Sequence, residues 1–445
     1  MLGLEIWAII GFSFAAYAVV GNDALQTLGT FINSNRSRHW TVLFGFAGAI
    51  LVATFTYGWI VNGGDPSYGR LANTAKYPPI AIEWYHCLPP LMLVLITRLG
   101  IPVSTSFMVL TIFATVAGLG SMIEKSLIGY ALAFAIGLGV WVVIGRTLEK
   151  WFENSELDSF VPIGLIGAVG SAFFLAQYHL FGTIEEPNVM WTGIGISVVV
   201  EAAAIFLAFT RSRGLYWVVT QWATTGYLWA VWLIQDFANI FVFLPRELSA
   251  VQGFMAMGII LFFLLITFAN AGGPVQRILR TKTNVVDIRS ATIIDFIYAS
   301  LLFFFKELSD IPMSTTWVFL GLIAGREYGF ALVRSSTRMT RTVIDTAEDI
   351  AKAFVGIVVS IDLAVGLPLI AQQIAGDAVS FSDAFPNSGF MWFVLVTNAA
   401  LIPVCLFAFS KPEDDVEHRR RNFALAIVTL LILVLGATFV LPVLK

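Results

Sequence analysis

Residues 100–110 read "GIPVSTSFMVL" and residues 310–320 read "DIPMSTTWVFL". Each places a proline, and then Ser104, Thr105 and Ser106 or Ser314, Thr315 and Thr316, in the middle of a long apolar stretch. Proline cannot continue a preceding helix and suits the first turn of the next, where hydroxyls lie beside N–H groups that lack intrahelical partners. Both stretches are therefore read as broken helices. A second pair of words accompanies them: "VVGNDALQTLGT" over residues 19–30 and "LIQDFANIFVF" over residues 233–243. Asp23 lies 79 residues before Pro102, and Asp236 lies 76 residues before Pro312, so order and spacing both repeat.

The surroundings of these words fix the class. The chain has 445 residues, 58% of them hydrophobic and 12% charged, with a mean hydropathy of +0.83. Apolar runs long enough to cross a bilayer recur from end to end, which predicts an all-α polytopic membrane protein. About ten full spans are expected, at roughly 5–31, 41–61, 127–145, 161–181, 190–210, 215–244, 250–271, 351–372, 390–410 and 423–443. The interrupted stretches at 79–123 and 291–325 are expected to be re-entrant helical hairpins. The first run lacks the basic flank of a signal peptide and is read as a span. Cys87 and Cys405 imply no disulfide framework, and no histidine spacing suggests a metal site.

Orientation follows from the basic residues. With the N-terminus outside and each hairpin entering and leaving on one side, 19 of the 26 Lys and Arg residues fall in cytoplasmic loops. The C-terminus also ends outside. The chain then passes out-to-in through Asp23 and in-to-out through Asp236. Residues 1–213 and 214–445 are thus read as an inverted repeat, a plan of secondary transporters that bind substrate near the midplane.

Two helix N-termini meeting from opposite faces would present about +1 of charge, plus hydroxyl donors, to one point. That predicts an anion site at Ser104, Thr105, Ser106, Ser314, Thr315 and Thr316. Asp23 and Asp236 would each cost about 2.5 to 3.5 kcal/mol if left ionised at a helix centre. No Lys or Arg lies at helical spacing within either span, so a bound cation is the expected partner. Asn22, Gln26, Thr30, Gln235 and Asn239 would supply further oxygen ligands, with Na+ at Asp23 and Asp236 as the metal hypothesis. Coupling to Na+ or H+ follows from charge: a dianion entering against an inside-negative potential is opposed by about 2.3 kcal/mol per charge per 100 mV. No other cofactor is expected.

These motifs resemble those of the inorganic phosphate transporter (PiT) family, of which the chain looks like a divergent member. The matching positions are Asn22, Asp23, Gly29, Thr30, Pro102, Ser104, Thr105 and Ser106, then Asp236, Asn239, Pro312, Ser314, Thr315 and Thr316. The resemblance implies a cation-coupled phosphate symporter, with the Ser and Thr residues on phosphate and the Asp motifs on the coupling cation. It departs where the family carries a histidine after Ser-Thr-Thr: Phe107 and Trp317 stand there. Gln26 and Gln235 each replace an Asn.

The expected function is therefore symport of phosphate by alternating access, not enzyme catalysis. Sulfate or another tetrahedral oxyanion is the alternative in the same class. An anion channel is a different one, and an intramembrane enzyme would need a base beside Ser104 or Ser314. The expected setting is the cell (inner) membrane, with lipid, the oxyanion and the cation as partners, no nucleic acid, and a homodimer left open. Glu201, Lys306, Glu307 and Asp362 are intramembrane charges without an assigned role. An interhelical hydrogen bond or a loop-facing charge is the expected reading for each, ahead of a proton path, and Lys306 and Glu307, being adjacent on a helix, are not expected to pair.

Overall fold

The computed structural model describes residues 5–98, 103–153, 155–156, 161, 163–270, 287–334, 336–376 and 385–409, with the side chains of 23–26, 97–98, 143–153, 333–334 and 336–338 outside the description. Among the described residues the regular structure is all helical. The helices are α1 (Ile6–Ser34), α2 (Trp40–Val61), α3 (Leu88–Arg98), α4 (Thr105–Leu110), α5 (Val116–Glu153), α6 (Leu165–Ala176) and α7 (Pro187–Thr210). They continue with α8 (Leu215–Phe241), α9 (Ala250–Ala269), α10 (Ile288–Leu308), α11 (Thr315–Arg334), α12 (Ser336–Ala375) and α13 (Ser388–Ala408).

Seven of these helices are long and apolar enough to cross a membrane: α2, α5, α7, α9, α10, α12 and α13. An eighth is α1, which turns by 52° between Ile6–Asn22 and Thr27–Ser34, at the Asn-Asp word. Of the ten spans the sequence predicts, seven coincide with members of this set, which adds α10 from the second expected hairpin; the other three stand as follows. The expected span at 161–181 is a short apolar helix that passes from α6 into a π turn at Gln177–Phe181. At 27 residues α8 is long enough, but it is rich in polar residues, with Thr220, Gln221, Thr225, Gln235, Asp236 and Asn239 all buried. The expected span at 423–443 lies outside the described residues. The two interrupted stretches also differ from each other. The first is made of short pieces, a 3-10 turn at Trp84–Cys87, α3, α4 and a second 3-10 turn at Thr111–Phe113, whereas the second is two helices, α10 and α11, of 21 and 20 residues.

Helix α1 packs antiparallel on α8. Phe12 near the start of one meets Phe241 at the end of the other, with ring centroids 5.4 Å apart, while Asn35 just past α1 donates to Gln221 in the second turn of α8 at 2.9 Å. This pair carries both Asp words and forms the centre of the core. Helices α5 and α11 approach backbone to backbone, because Gly321, Gly325 and Gly329 lie four apart on one face of α11. A Cβ on Gly325 would stand 2.2 Å from the Phe134 carbonyl oxygen, and one on Gly137 of α5 would stand 2.6 Å from that of Leu322. Small residues at this spacing let helices in lipid gain van der Waals contact without a hydrophobic driving force. The close fit fixes α11, and with it the second Ser-Thr-Thr word at its start.

Candidate substrate and cation site

The Ser-Thr words open helices, as proline and the hydroxyls dictate. Ser104 caps α4, its Oγ accepting from the Phe107 N–H at 3.2 Å, and Ser314 does the same for the Trp317 N–H at 3.2 Å. Capping satisfies one of the N–H groups left over at a helix start and leaves the serine proton free to donate. The Ser314 N–H itself donates to Ser126 of α5 at 2.9 Å. All six Ser and Thr residues of the two words are at most 3% exposed.

The words meet. Ser106 Oγ donates to the Met313 carbonyl at 2.9 Å and accepts from Asn239 Nδ2 at 3.1 Å. Asp236 Oδ1 is 3.4 Å from the same hydroxyl, whose single proton goes to the shorter bond. Thr315 Oγ1 donates to Asp236 Oδ2 at 2.9 Å, and Asn239 Nδ2 gives its second proton to Asp236 Oδ1, with Thr105 Oγ1 3.3 Å away. A fully buried carboxylate thus sits between Thr315 of one word and Thr105 and Ser106 of the other, all within one hydrogen-bonded cluster. Asn239 Oδ1 and, on the same helix, Gln235 Oε1 are buried without a hydrogen-bond partner. The two positions occupied by Phe107 and Trp317 also converge, with ring centroids 6.2 Å apart, and make an aromatic wall beside the cluster.

The first Asp word is wired differently. Asn22 Nδ2 donates to the Val103 carbonyl at 3.1 Å, holding α1 against the residue before Ser104. Gln235 is longer by a methylene and reaches the Leu302 carbonyl on α10 at 2.9 Å. The side chains of Asp23 and Gln26 lie outside the described residues. Thr30 is two turns farther along α1, where its hydroxyl donates to Asp295 Oδ1 at 2.8 Å.

Three buried charges near this core escaped the reading of the sequence. Asp295 of α10 is 1% exposed and takes a second hydroxyl from Thr225 at 2.6 Å. Arg70 arrives from the α2–α3 connection, where Asp65 accepts from the Ser67 and Gly69 N–H groups and Tyr68 adopts φ 58°, a tight turn that sends the chain inward. Its Nε donates to the Ile234 carbonyl at 3.0 Å and its Nη1 reaches the Ile311 carbonyl at 3.4 Å. Lys125 of α5 donates to the Ser309 and Ile311 carbonyls at 2.6 and 2.8 Å. Both cations therefore grip the turn that leads into Pro312. They were detectable as exceptions: Arg70 and Lys125 are among the few basic residues that the positive-inside pattern leaves outside the cytoplasmic loops.

The unassigned charges resolve locally. Glu201 of α7 accepts from the Gly164, Ile166 and Gly167 N–H groups at 2.8 to 3.2 Å and from the Tyr216 hydroxyl, so it caps α6 from a neighbouring helix. Gly164, in the N-cap position before α6, has no side chain to cap it, which explains the need. Asn398 of α13 donates to Asp362 at 2.8 Å. Lys306 and Glu307 do pair, against the expectation from their adjacency. Successive helical side chains diverge by about 100°, but these two lie in the last turn of α10, where long side chains can bend together past the helix end.

Fold and site define a polytopic, all-α integral membrane protein with a buried carboxylate and hydroxyl cluster between two helix starts. A solved structure described as "The sodium-dependent phosphate transporter" shares this fold: it matches 83% of this chain and 98% of its own, with a TM-score of 0.55 and 13% sequence identity. No family model and no curated relative matches the chain.

Proposed function

We propose that this protein is a secondary transporter that moves inorganic phosphate together with a cation, Na+ or H+, by rocking two inverted halves, 1–213 and 214–445, about the cluster at Asp236. The observation that carries the proposal is the hydrogen bond of one Ser-Thr word to the other and the buried carboxylate that binds Thr315 directly and Ser106 through Asn239. A tetrahedral oxyanion needs several donors from different directions, and the hydroxyls of Ser104, Thr105, Ser106, Ser314, Thr315 and Thr316 can supply them from two chain segments. HPO4 2- also carries a proton to donate, which a nearby carboxylate can accept, whereas sulfate offers only acceptors. The cation would sit at Asp236, beside which Asn239 Oδ1 is an oxygen in want of a partner, and at the repeated position of Asp23. The fold shared with a sodium-dependent phosphate transporter supports the same reading.

The test is radiolabelled uptake into proteoliposomes, crossing phosphate and sulfate with imposed Na+ and H+ gradients. Phosphate should accumulate under one of the gradients, and sulfate should compete poorly. Uptake indifferent to both gradients would mean a channel instead. In the same vesicles Ser314→Ala should weaken phosphate by about 1 to 3 kcal/mol for one lost bond to a charged ligand. Unchanged affinity for phosphate in Ser104→Ala and Ser314→Ala alike would place the anion elsewhere.

A further inference from the structure

The described residues include six buried charged side chains: Arg70, Lys125, Glu201, Asp236, Arg289 and Asp295. Four have partners that suit their charge. Glu201 accepts from backbone N–H groups, Arg289 pairs with Asp287, Asp295 takes two hydroxyls, and Asp236 takes Thr315 and Asn239. Arg70 and Lys125 bond only carbonyls, and neither belongs to an ion pair among the described residues.

These two cations converge. Arg70 Nη1 and Lys125 Nζ lie 3.4 and 2.8 Å from one oxygen, the Ile311 carbonyl, so two like charges share a single acceptor. They come from the α2–α3 connection and from α5, and those segments are fastened together: the Thr115 N–H donates to the Lys76 carbonyl at 2.8 Å, and Lys76 Nζ donates to Ser121 at 2.8 Å. Arg70 is 2% exposed and Lys125 7%, so water does little to screen their repulsion, and a carbonyl dipole offsets only part of it.

Donors are also left over. Arg70 Nη2 is buried with no acceptor, and an ammonium has three protons, of which the Ser309 and Ile311 carbonyls take two. Asp310, in the gripped turn, is exposed. A small anion would balance the paired charges and accept the unspent protons.

We infer that Arg70 and Lys125 form an anion subsite beside the Ser-Thr words and not made of their hydroxyls. Its ligand is a small inorganic anion, a tetrahedral oxyanion or a halide. Both cations hold the turn that leads into Pro312 and Ser314, so the bound anion ties the α2–α3 connection and α5 to the start of α11. The subsite stands whether or not the chain is a symporter.

The experiment measures equilibrium binding of radiolabelled phosphate, and separately of radiolabelled chloride, to the purified full chain with methanesulfonate as the only other anion. The background is Ser104→Ala combined with Ser314→Ala, which weakens the hydroxyl cluster and leaves both cations in place. Binding of at least one ion should persist there at millimolar concentration. It should fall about tenfold or more when Arg70→Gln or Lys125→Gln is added, and Lys125→Arg, which keeps the charge, should retain most of it. Where a neutral variant does not fold, Arg70→Lys is read instead: it keeps the charge, loses the second arm of the fork, and should bind severalfold more weakly. Phosphate bound and chloride not assigns the subsite to an oxyanion, and chloride that phosphate does not displace assigns it to a resident halide. Neither ion bound in the background, or affinities unchanged by every substitution at Arg70 and Lys125, would make the two cations clamps on the turn and overturn the inference. Phosphate uptake by the unaltered protein judges the symport reading separately.

Discussion

The two ends of the α1–α8 pair are built from opposite materials. Where α1 begins and α8 ends, Phe12, Phe55, Phe113, Phe241 and Phe243 are all buried, with Phe113 and Phe243 ring centroids 5.1 Å apart and His86 stacked on Phe113. Gly11 lets the Phe243 ring lie directly against α1, since a Cβ there would be 2.3 Å from it. At the other end the same two helices are joined by amides and hydroxyls. Gln221 Nε2 donates to Ser34, Asn35 Nδ2 to Gln221 Oε1, and Trp222 Nε1 to Asn35 Oδ1, with the Thr30–Asp295–Thr225 bridge one turn deeper. One end is closed by shape and the other by hydrogen bonds. The first resists water because its facing side chains are mostly aromatic carbon, while the second holds only while every partner is present.

Breaking the aromatic end should have the larger effect. Phe243→Ala leaves a cavity and removes the ring that seats on Gly11, at a cost of about 3 to 5 kcal/mol for a buried phenylalanine. Thermal unfolding in detergent measures it, and a loss below that of the polar-end variants would reverse the ranking. Next comes Asp295→Ala, which strips the buried Thr225 hydroxyl and the half-buried Thr30 hydroxyl of their acceptor and should cost about 1 to 3 kcal/mol. Asp295→Asn keeps one acceptor oxygen and should recover part of that loss. Smallest is Ser34→Ala. Its hydroxyl is half-buried and Gln221 retains the bond from Asn35, so about 0.5 to 1.5 kcal/mol is expected. Equal losses at Phe243 and Ser34 would mean that the two ends are not distinct in kind.

Membrane class and the position of the broken helices were legible in the sequence because they depend on local facts. A run of apolar residues must sit in lipid, and proline must interrupt a helix wherever the helix lies. The pairing of the Ser-Thr words was legible too, as repetition. The helix expected at 215–244 is present as α8, but a hydropathy window cannot tell that its amides are buried between helices rather than solvated. Glu201 shows the same limit, since the uncapped N-terminus it serves lies more than thirty positions away in the chain.

What the sequence alone determined is a polytopic helical chain with two hydroxyl words and two acidic words in repeated order. Those follow from the hydrophobic effect and from backbone stereochemistry, which act over a few residues at a time. Only the tertiary structure decided that Ser106 and Met313, 207 positions apart, are joined by a hydrogen bond, or that Asp236 takes its hydroxyl donor from Thr315. It also decided that Arg70, in a connection that reads as a surface loop, grips Ile234 beside Asp236. The physical reason is that a buried charge is tolerated only where partners from distant segments surround it, and those partners are chosen by how helices pack, not by spacing along the chain.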